Sequence, residues 1–185
     1  MSAVYCALVH HPVLDRAGAE VTTSVTNLDV HDIARSARTY GLHGYFVVSP
    51  IDAQYPVVQR ILDHWCDGKG KTRFPERAEA LSIVEIADSV DTAIARVAQR
   101  EGQGPRLVVT SARSGSGRTS FADEAARLPD EGQPTLILFG TGHGLSQALM
   151  DRADAILDPI TGPGGYNHLS VRAAAAITLD RLFGT

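Results

Sequence analysis

The chain has 185 residues, 44% of them hydrophobic and 21% charged, which suits one domain with a real core and is short for two. A formal net charge of −4 argues against a protein that coats nucleic acid through a broad basic surface, and no apolar run approaches the roughly 18 residues a membrane span needs. The N-terminus lacks a basic stretch followed by a long apolar run, so no signal peptide is expected, and two well-separated cysteines, Cys6 and Cys66, fit a reducing compartment such as the cytoplasm.

Residues 4–9 (VYCALV) read as a strand, with His10, His11 and Pro12 just past its end. Residues 29–40 place Val30, Ile33, Ala34 and Ala37 at helical spacing, and Gly41 stops that helix. A strand at 45–48 (YFVV) precedes Ser49 and Pro50. A helix at 57–65 carries Val58, Ile61, Leu62 and Trp65 on one stripe. A strand at 81–86 (LSIVEI) leads to a helix at 89–99 with Val90, Ala93, Ile94 and Val97 on one side. Then come a strand at 107–110 (LVVT), a short helix at 121–128, strands at 135–139 (TLILF) and 155–157, and a helix at 171–183. The last contains AAAAITLDRLF and is strongly helical by propensity. Most of the strands show no in–out alternation, as strands covered on both faces do. The expected fold is therefore one α/β domain over residues 1–185, a mostly parallel sheet with helices on both faces.

Two local excesses of positive charge interrupt the acidic background. Arg106, Arg113 and Arg118 meet no acid until Asp123, and Arg60, Lys69, Lys71, Arg73 and Arg77 outnumber Asp63, Asp67 and Glu76. Each is either a solvated face or a patch that meets phosphate. No Cys/His cluster has metal-ligand spacing, so no metal is expected.

In open parallel sheets ligands sit at the carboxyl ends of the strands, and three glycine-rich segments fall there. The first, SARSGSGRTS after Thr110, nearly matches a phosphate-binding loop through Ala112, Gly117, Arg118 and Thr119. Arginine replaces the required lysine, and the following strand ends in Gly140 rather than a metal-binding Asp. The second, G-T-G-H-G at 140–144, approaches a dinucleotide fingerprint, with Asp158 where a ribose-binding acid belongs. Its third glycine comes one residue early, and Leu145 occupies the place of a small residue. The third, T-G-P-G-G-Y-N-H-L-S at 161–170, runs into the alanine-rich helix, with Asn167 or Ser170 available as N-cap.

The blocks NLDVHDIARSARTYG (27–41), LILFGTGHGL (136–145) and LDPITGPGGYNHLSVRAAAAI (157–177), in that order, resemble the three motifs of the SPOUT superfamily of α/β-knot methyltransferases. With the opening ALVHHPVL they are similar to a small bacterial group of stand-alone SPOUT RNA methyltransferases related to the C-terminal region of tRNA (guanine-N1)-methyltransferase. The resemblance implies a C-terminal trefoil knot, a homodimer and S-adenosylmethionine as cofactor. It implies methylation of tRNA or rRNA, without membrane association. It places cofactor contacts on Leu138, Phe139, Gly140, Thr141 and Gly144, and on Ile160, Gly165, Asn167, His168, Leu169 and Ser170. Arg35 matches the first-motif arginine, and Asp29 and Asp32 are candidate bases. Arg38, Arg113 and Arg118 are candidates to hold RNA, and His10, His11 and His31 are candidates for the site, although a lone histidine is more often structural. His168-Leu169-Ser170 departs from the Ser-Leu-Asn of the ribose-methylating branch. A cofactor- or RNA-binding module without chemistry, and a nucleotide-dependent α/β enzyme using 140–144, are the alternative readings.

Overall fold

The computed structural model describes residues 2–128 and 132–184. The first half comprises β1 (Val4–Val9), a small hairpin β2 (Val13–Leu14) and β3 (Glu20–Val21), α1 (Asn27–Thr39) and β4 (Gly44–Val48). A helical lobe follows: a 3-10 turn Asp52–Gln54, α2 (Tyr55–Leu62), a π turn Asp63–Asp67, α3 (Lys69–Arg73) and α4 (Pro75–Leu81). The rest is β5 (Val84–Ala87), α5 (Val90–Glu101), β6 (Arg106–Val109), α6 (Phe121–Arg127), β7 (Thr135–Gly140), α7 (Gln147–Asp151), β8 (Ala155–Ile156) and α8 (Val171–Phe183).

Six strands form one sheet in the order β5-β4-β1-β7-β6-β8, and every pairing in it is parallel. The central strand β1 is buried along its whole length, and its side chains alternate between two cores. Cys6 and Leu8 face α1, α4, α6 and α8, through Ile33, Ala34, Leu81, Leu128 and Leu179. Tyr5, Ala7 and Val9 face α5 and α7, through Ala93, Val97 and Leu149. Helices thus cover both faces, and each fully buried Val, Leu, Ile or Phe contributes roughly 1.5–3 kcal/mol. Among the described residues no helix is long and apolar enough to cross a membrane.

Two local expectations shift, and two sets of elements stand beyond them. The strand expected at 81–86 is β5 at Val84–Ala87, because Leu81 ends α4 and packs in the first core. The helix expected at 57–65 starts earlier at Tyr55, with Pro56 in its first turn, and passes into the π turn at Asp63. The charged stretch after it forms α3 and α4, which carry no long apolar stripe to announce them. The hairpin β2–β3 has only two residues per strand, too few to show a period.

Arg106 also departs from its expected surface role. It is 6% exposed and reaches under α6 to Glu124, which is fully buried. Nη2 donates to Oε2 at 3.1 Å and Nη1 to Oε1, so the two side chains meet fork to fork. Glu124→Ala removes this buried carboxylate from the Arg106 guanidinium, and the expected outcome is a loss of stability in urea unfolding. An Arg106→Met/Glu124→Leu double variant should recover most of that loss, since it removes both charges together.

Candidate functional site

Because the sheet is parallel, the segments after β1, β6, β7 and β8 all leave from one edge. Pairing of Val9 with Gly140 sets His10 beside Thr141, although the two are far apart in sequence. The β7 loop is then stitched to the hairpin after β1. Leu14 N–H donates to Gly144 O at 2.8 Å, His143 N–H to Leu14 O at 2.8 Å, and Ser146 N–H to Pro12 O at 3.1 Å.

The glycines of this loop serve packing first. A Cβ on Gly140 would stand 2.9 Å from both Leu145 N and Leu145 Cγ, so glycine lets Leu145 fold back into the second core. Gly142 has φ +60 and would bring a Cβ to 2.9 Å from Leu14 O. Leu145, the residue that breaks the dinucleotide fingerprint, is the side chain the loop closes over. Gly144 (φ +107) leaves open space where its Cβ would be.

The third glycine-rich loop is built the other way. Gly162, Gly164 and Gly165 have nothing within 4 Å of a Cβ position. Tyr166 is 79% and Leu169 46% exposed, with His168 edge-on to Tyr166. From Ile160 to Ser170 no peptide N–H makes a backbone hydrogen bond among the described residues. Ser170 is the N-cap of α8, accepting from Ala173 N–H at 3.2 Å. Asn167 instead donates through Nδ2 to Ala112 O at 2.9 Å. Arg113 donates to His143 O at 3.4 Å. The loop after β6 therefore bridges the two others, and Thr119 pairs with the chain leaving β8. Arg118 folds back over Gly115 with Nε and Nη1 buried and without partners.

The expected cofactor residues divide by burial. Leu138 and Phe139 lie in the two cores, and the Leu138 carbonyl accepts from Thr110 N–H and Oγ1, so neither side chain reaches the loop surface. Gly140, Thr141, Gly144 and Ile160 are half-buried at the strand ends, and Gly165, His168, Leu169 and Ser170 are exposed. Free peptide N–H groups supply hydrogen-bond donors, and the open glycine positions with exposed Tyr166 and Leu169 supply room and apolar surface, a set that fits an adenosine bearing an amino-acid tail.

Beneath the loops, the first turns of α1 and α8 meet. Thr26, not Asp29 or Asp32, caps α1: its Oγ1 accepts from Asp29 N–H at 3.3 Å and donates to Asp29 Oδ2 at 2.6 Å. Asp29 Oδ1 receives Arg172 Nη1 at 2.8 Å, so both oxygens of this buried carboxylate are engaged. Asp32 is half-exposed and stands 3.4 Å from Arg172 Nε. Arg35 lies about 9 Å further along α1 than Asp29, exposed in a groove with Asp32, Ser36, Thr39, Tyr40 and Ala176. Arg38 is taken by Glu79, with Nε at 3.0 Å from Oε1.

The histidines do not gather. His11 hydrogen-bonds Thr22 within the hairpin segment, and His31 turns its edge to Trp65. Only His10 enters the site, 1% exposed. Proton counting fixes its form. Thr141 Oγ1 donates to Val9 O at 3.0 Å, so Thr23 Oγ1 must donate to Thr141 at 2.5 Å and accept from His10 Nδ1 at 3.0 Å. Nδ1 carries the proton, and Nε2 is a buried lone pair without a partner. Burial pulls the imidazole down to about 4, against the opposing field of Asp29. The one sequence signal for this arrangement is a polar pair directly after a buried strand.

A family of S-adenosylmethionine-dependent RNA methyltransferases matches residues 3–184. A tRNA (guanine-N(1)-)-methyltransferase of Oleidesulfovibrio alaskensis is 47% identical over 98% of the chain, which spans 42% of that relative's length. A protein of Aquifex aeolicus is 42% identical over 97% of the chain and 88% of its own length. Among solved structures, the SpoU methyltransferase AviRb from Streptomyces viridochromogenes superposes with a TM-score of 0.59 at 19% identity, covering 98% of this chain and 58% of that one.

Gly140→Ala should cost about 1–3 kcal/mol by driving a Cβ into the Leu145 backbone, read as a lowered midpoint in thermal melting. His10 gives a pH dependence of known sign. Its folded value of about 4 lies below the ordinary ~6.5, so the unfolded chain binds the proton first. Stability is full above pH ~6.5 and falls by about 3 kcal/mol as pH drops towards 4. Denaturant titrations across that window should show the slope in the wild type and a flatter one in His10→Gln.

Proposed function

The chain belongs to the S-adenosylmethionine-dependent RNA methyltransferases, and from that premise we propose that it methylates a base of a structured RNA, tRNA before rRNA, in the cytoplasm as a homodimer of single domains. The bridge that Arg113 and Asn167 make between the two glycine-rich loops carries this reading, since it ties three separate loops into one cluster. tRNA is favoured by the name of the Oleidesulfovibrio relative, of which this chain matches less than half. A base rather than a ribose is favoured by His168-Leu169-Ser170.

Gly140, Thr141, Gly144 and Ile160 form the inner wall of the proposed cofactor pocket, and Gly165, Asn167, His168, Leu169 and Ser170 the outer one. Leu138 and Phe139 act from behind by holding β7 in the core. A trefoil knot is supported by the course of residues 119 and 156–158, where the β6–α6 connection pairs with the chain leaving β8. The contact between subunits is proposed on helices beside the knot region, outside the groove that Arg35 and Asp32 line.

Bound S-adenosylmethionine supplies an electrophilic methyl on a sulfonium. The chain must hold the acceptor atom in line and take its proton. Asp32 is the proposed base, because Asp29 has both oxygens engaged and instead orients Arg172. Arg35, with no carboxylate within ion-pair distance among the described residues, is free to steady the RNA. Arg113 and Arg118 would meet phosphate at the pocket rim, and Arg38 would do so after leaving Glu79.

Calorimetry should detect S-adenosylmethionine binding. Mass spectrometry of nucleosides from a deletion strain should show one methylated nucleoside missing. Asp32→Asn should keep cofactor affinity and lower methyl transfer about 10²–10⁴-fold. Cofactor binding with an unchanged nucleoside profile would point to a binding module without chemistry.

A further inference from the structure

The helical lobe of residues 55–81 is unused by the cofactor site, and it concentrates the positive charge of an otherwise acidic chain. Residues 68–77 (GKGKTRFPER) hold Lys69, Lys71, Arg73 and Arg77 against one carboxylate, Glu76. None of these four has an ion-pair partner among the described residues, and the nearby Glu79 is already taken by Arg38. Lys69, Lys71 and Arg73 are exposed.

The lobe is rigidly seated. A Cβ on Gly70 would lie 2.7 Å from both His64 O and the Trp65 ring, and one on Gly68 2.8 Å from His64 O. The glycines of the GKGK stretch therefore press on the π turn. Trp65 packs edge-on to His31 of α1, with ring centroids 5.7 Å apart, which ties the lobe to the helix that carries Asp32 and Arg35. The Arg77 guanidinium covers Trp65 at 4.5 Å and lies 5.8 Å from Phe74, while Arg73 stands 5.5 Å from Phe74. Phe74 is 45% exposed, with both guanidiniums within 6 Å of its ring centre. The fields of Arg77 and Arg35 both act on His31, so both cations lie near that histidine.

Like charges gathered on a fixed surface repel unless an anion sits on them. An exposed ring flanked by guanidiniums offers a stacking plane to an unpaired base, which a duplex would keep inside its stack. We infer that the face formed by Lys69, Lys71, Arg73, Phe74 and Arg77, continued by Arg35, is where a single-stranded segment of the substrate RNA docks. Phosphates lie on the cations and one base on Phe74. This rests on the reading of the chain as an RNA methyltransferase and supplies the RNA contact its net charge does not.

The test uses the whole chain, unfractionated tRNA from a deletion strain and a fully paired RNA duplex. Filter binding is run from 50 to 200 mM salt, with S-adenosylmethionine calorimetry beside it. Lys69→Gln/Lys71→Gln/Arg73→Gln should weaken tRNA binding at least tenfold and flatten the log–log salt slope by about 2, at roughly 0.7 per lost phosphate contact. Phe74→Ala should weaken binding with the slope unchanged, Arg73→Glu should weaken it in the same direction, and cofactor affinity should stay constant. Wild-type tRNA affinity and slope in these variants, with cofactor binding intact, would overturn the docking face alone. Equal wild-type affinity for the duplex would also overturn the single-strand assignment. A wild type that binds neither S-adenosylmethionine nor tRNA would remove the underlying reading.

Discussion

Everything at the site depends on the parallel register of β1 against β7. Six residue pairs, from Val4 with Thr135 to Val9 with Gly140, bring the start of the chain and its last third to one level. Both strands are fully buried apart from Gly140, so the register is held by apolar contacts on two faces. A slip of one residue would exchange every side chain between the two cores. It would also part His10 from Thr141 and break the hydroxyl relay through Thr23.

The second tie is between the first and last long helices. Arg172 leaves the first turn of α8 and closes on Asp29 in the first turn of α1. Thr26 completes the carboxylate's shell, so the start of α1 is held by its own cap and by a residue 143 positions away. The third glycine-rich loop enters α8 immediately before Arg172. Its end is therefore anchored, while its exposed glycines and free peptide groups remain available. One loop is closed by packing and the other is open.

Separation of duties also explains the charge pattern. Arg106 looked like one of three clustered surface cations, yet it is buried under α6, paired with Glu124. Arg38 is neutralised by Glu79. Among the described residues, cations without a carboxylate at ion-pair distance include the 68–77 stretch, Arg35 and the loop after β6, which face RNA in the functional reading, and also Arg16, Arg60 and Arg181, which lie outside it. A net charge of −4 is compatible with RNA as substrate because attraction depends on where the unpaired charges sit.

The sequence by itself determined the layered α/β architecture, because strands buried on both faces must be apolar throughout and the helices between them must be amphipathic. It also determined where the glycine-rich loops lie, since Gly140 ends β7 and the glycines after Thr161 follow β8. Each of those signals is local, spread over a few consecutive residues. Only the tertiary structure decided that Gly140 serves Leu145, that Asp29 is spoken for by Arg172, and that His10 alone of three histidines enters the site. It also decided that Lys69 and Lys71 stand exposed beside a π turn no periodicity announces. Those outcomes depend on which distant residue arrives opposite, and that is set by strand register and helix packing.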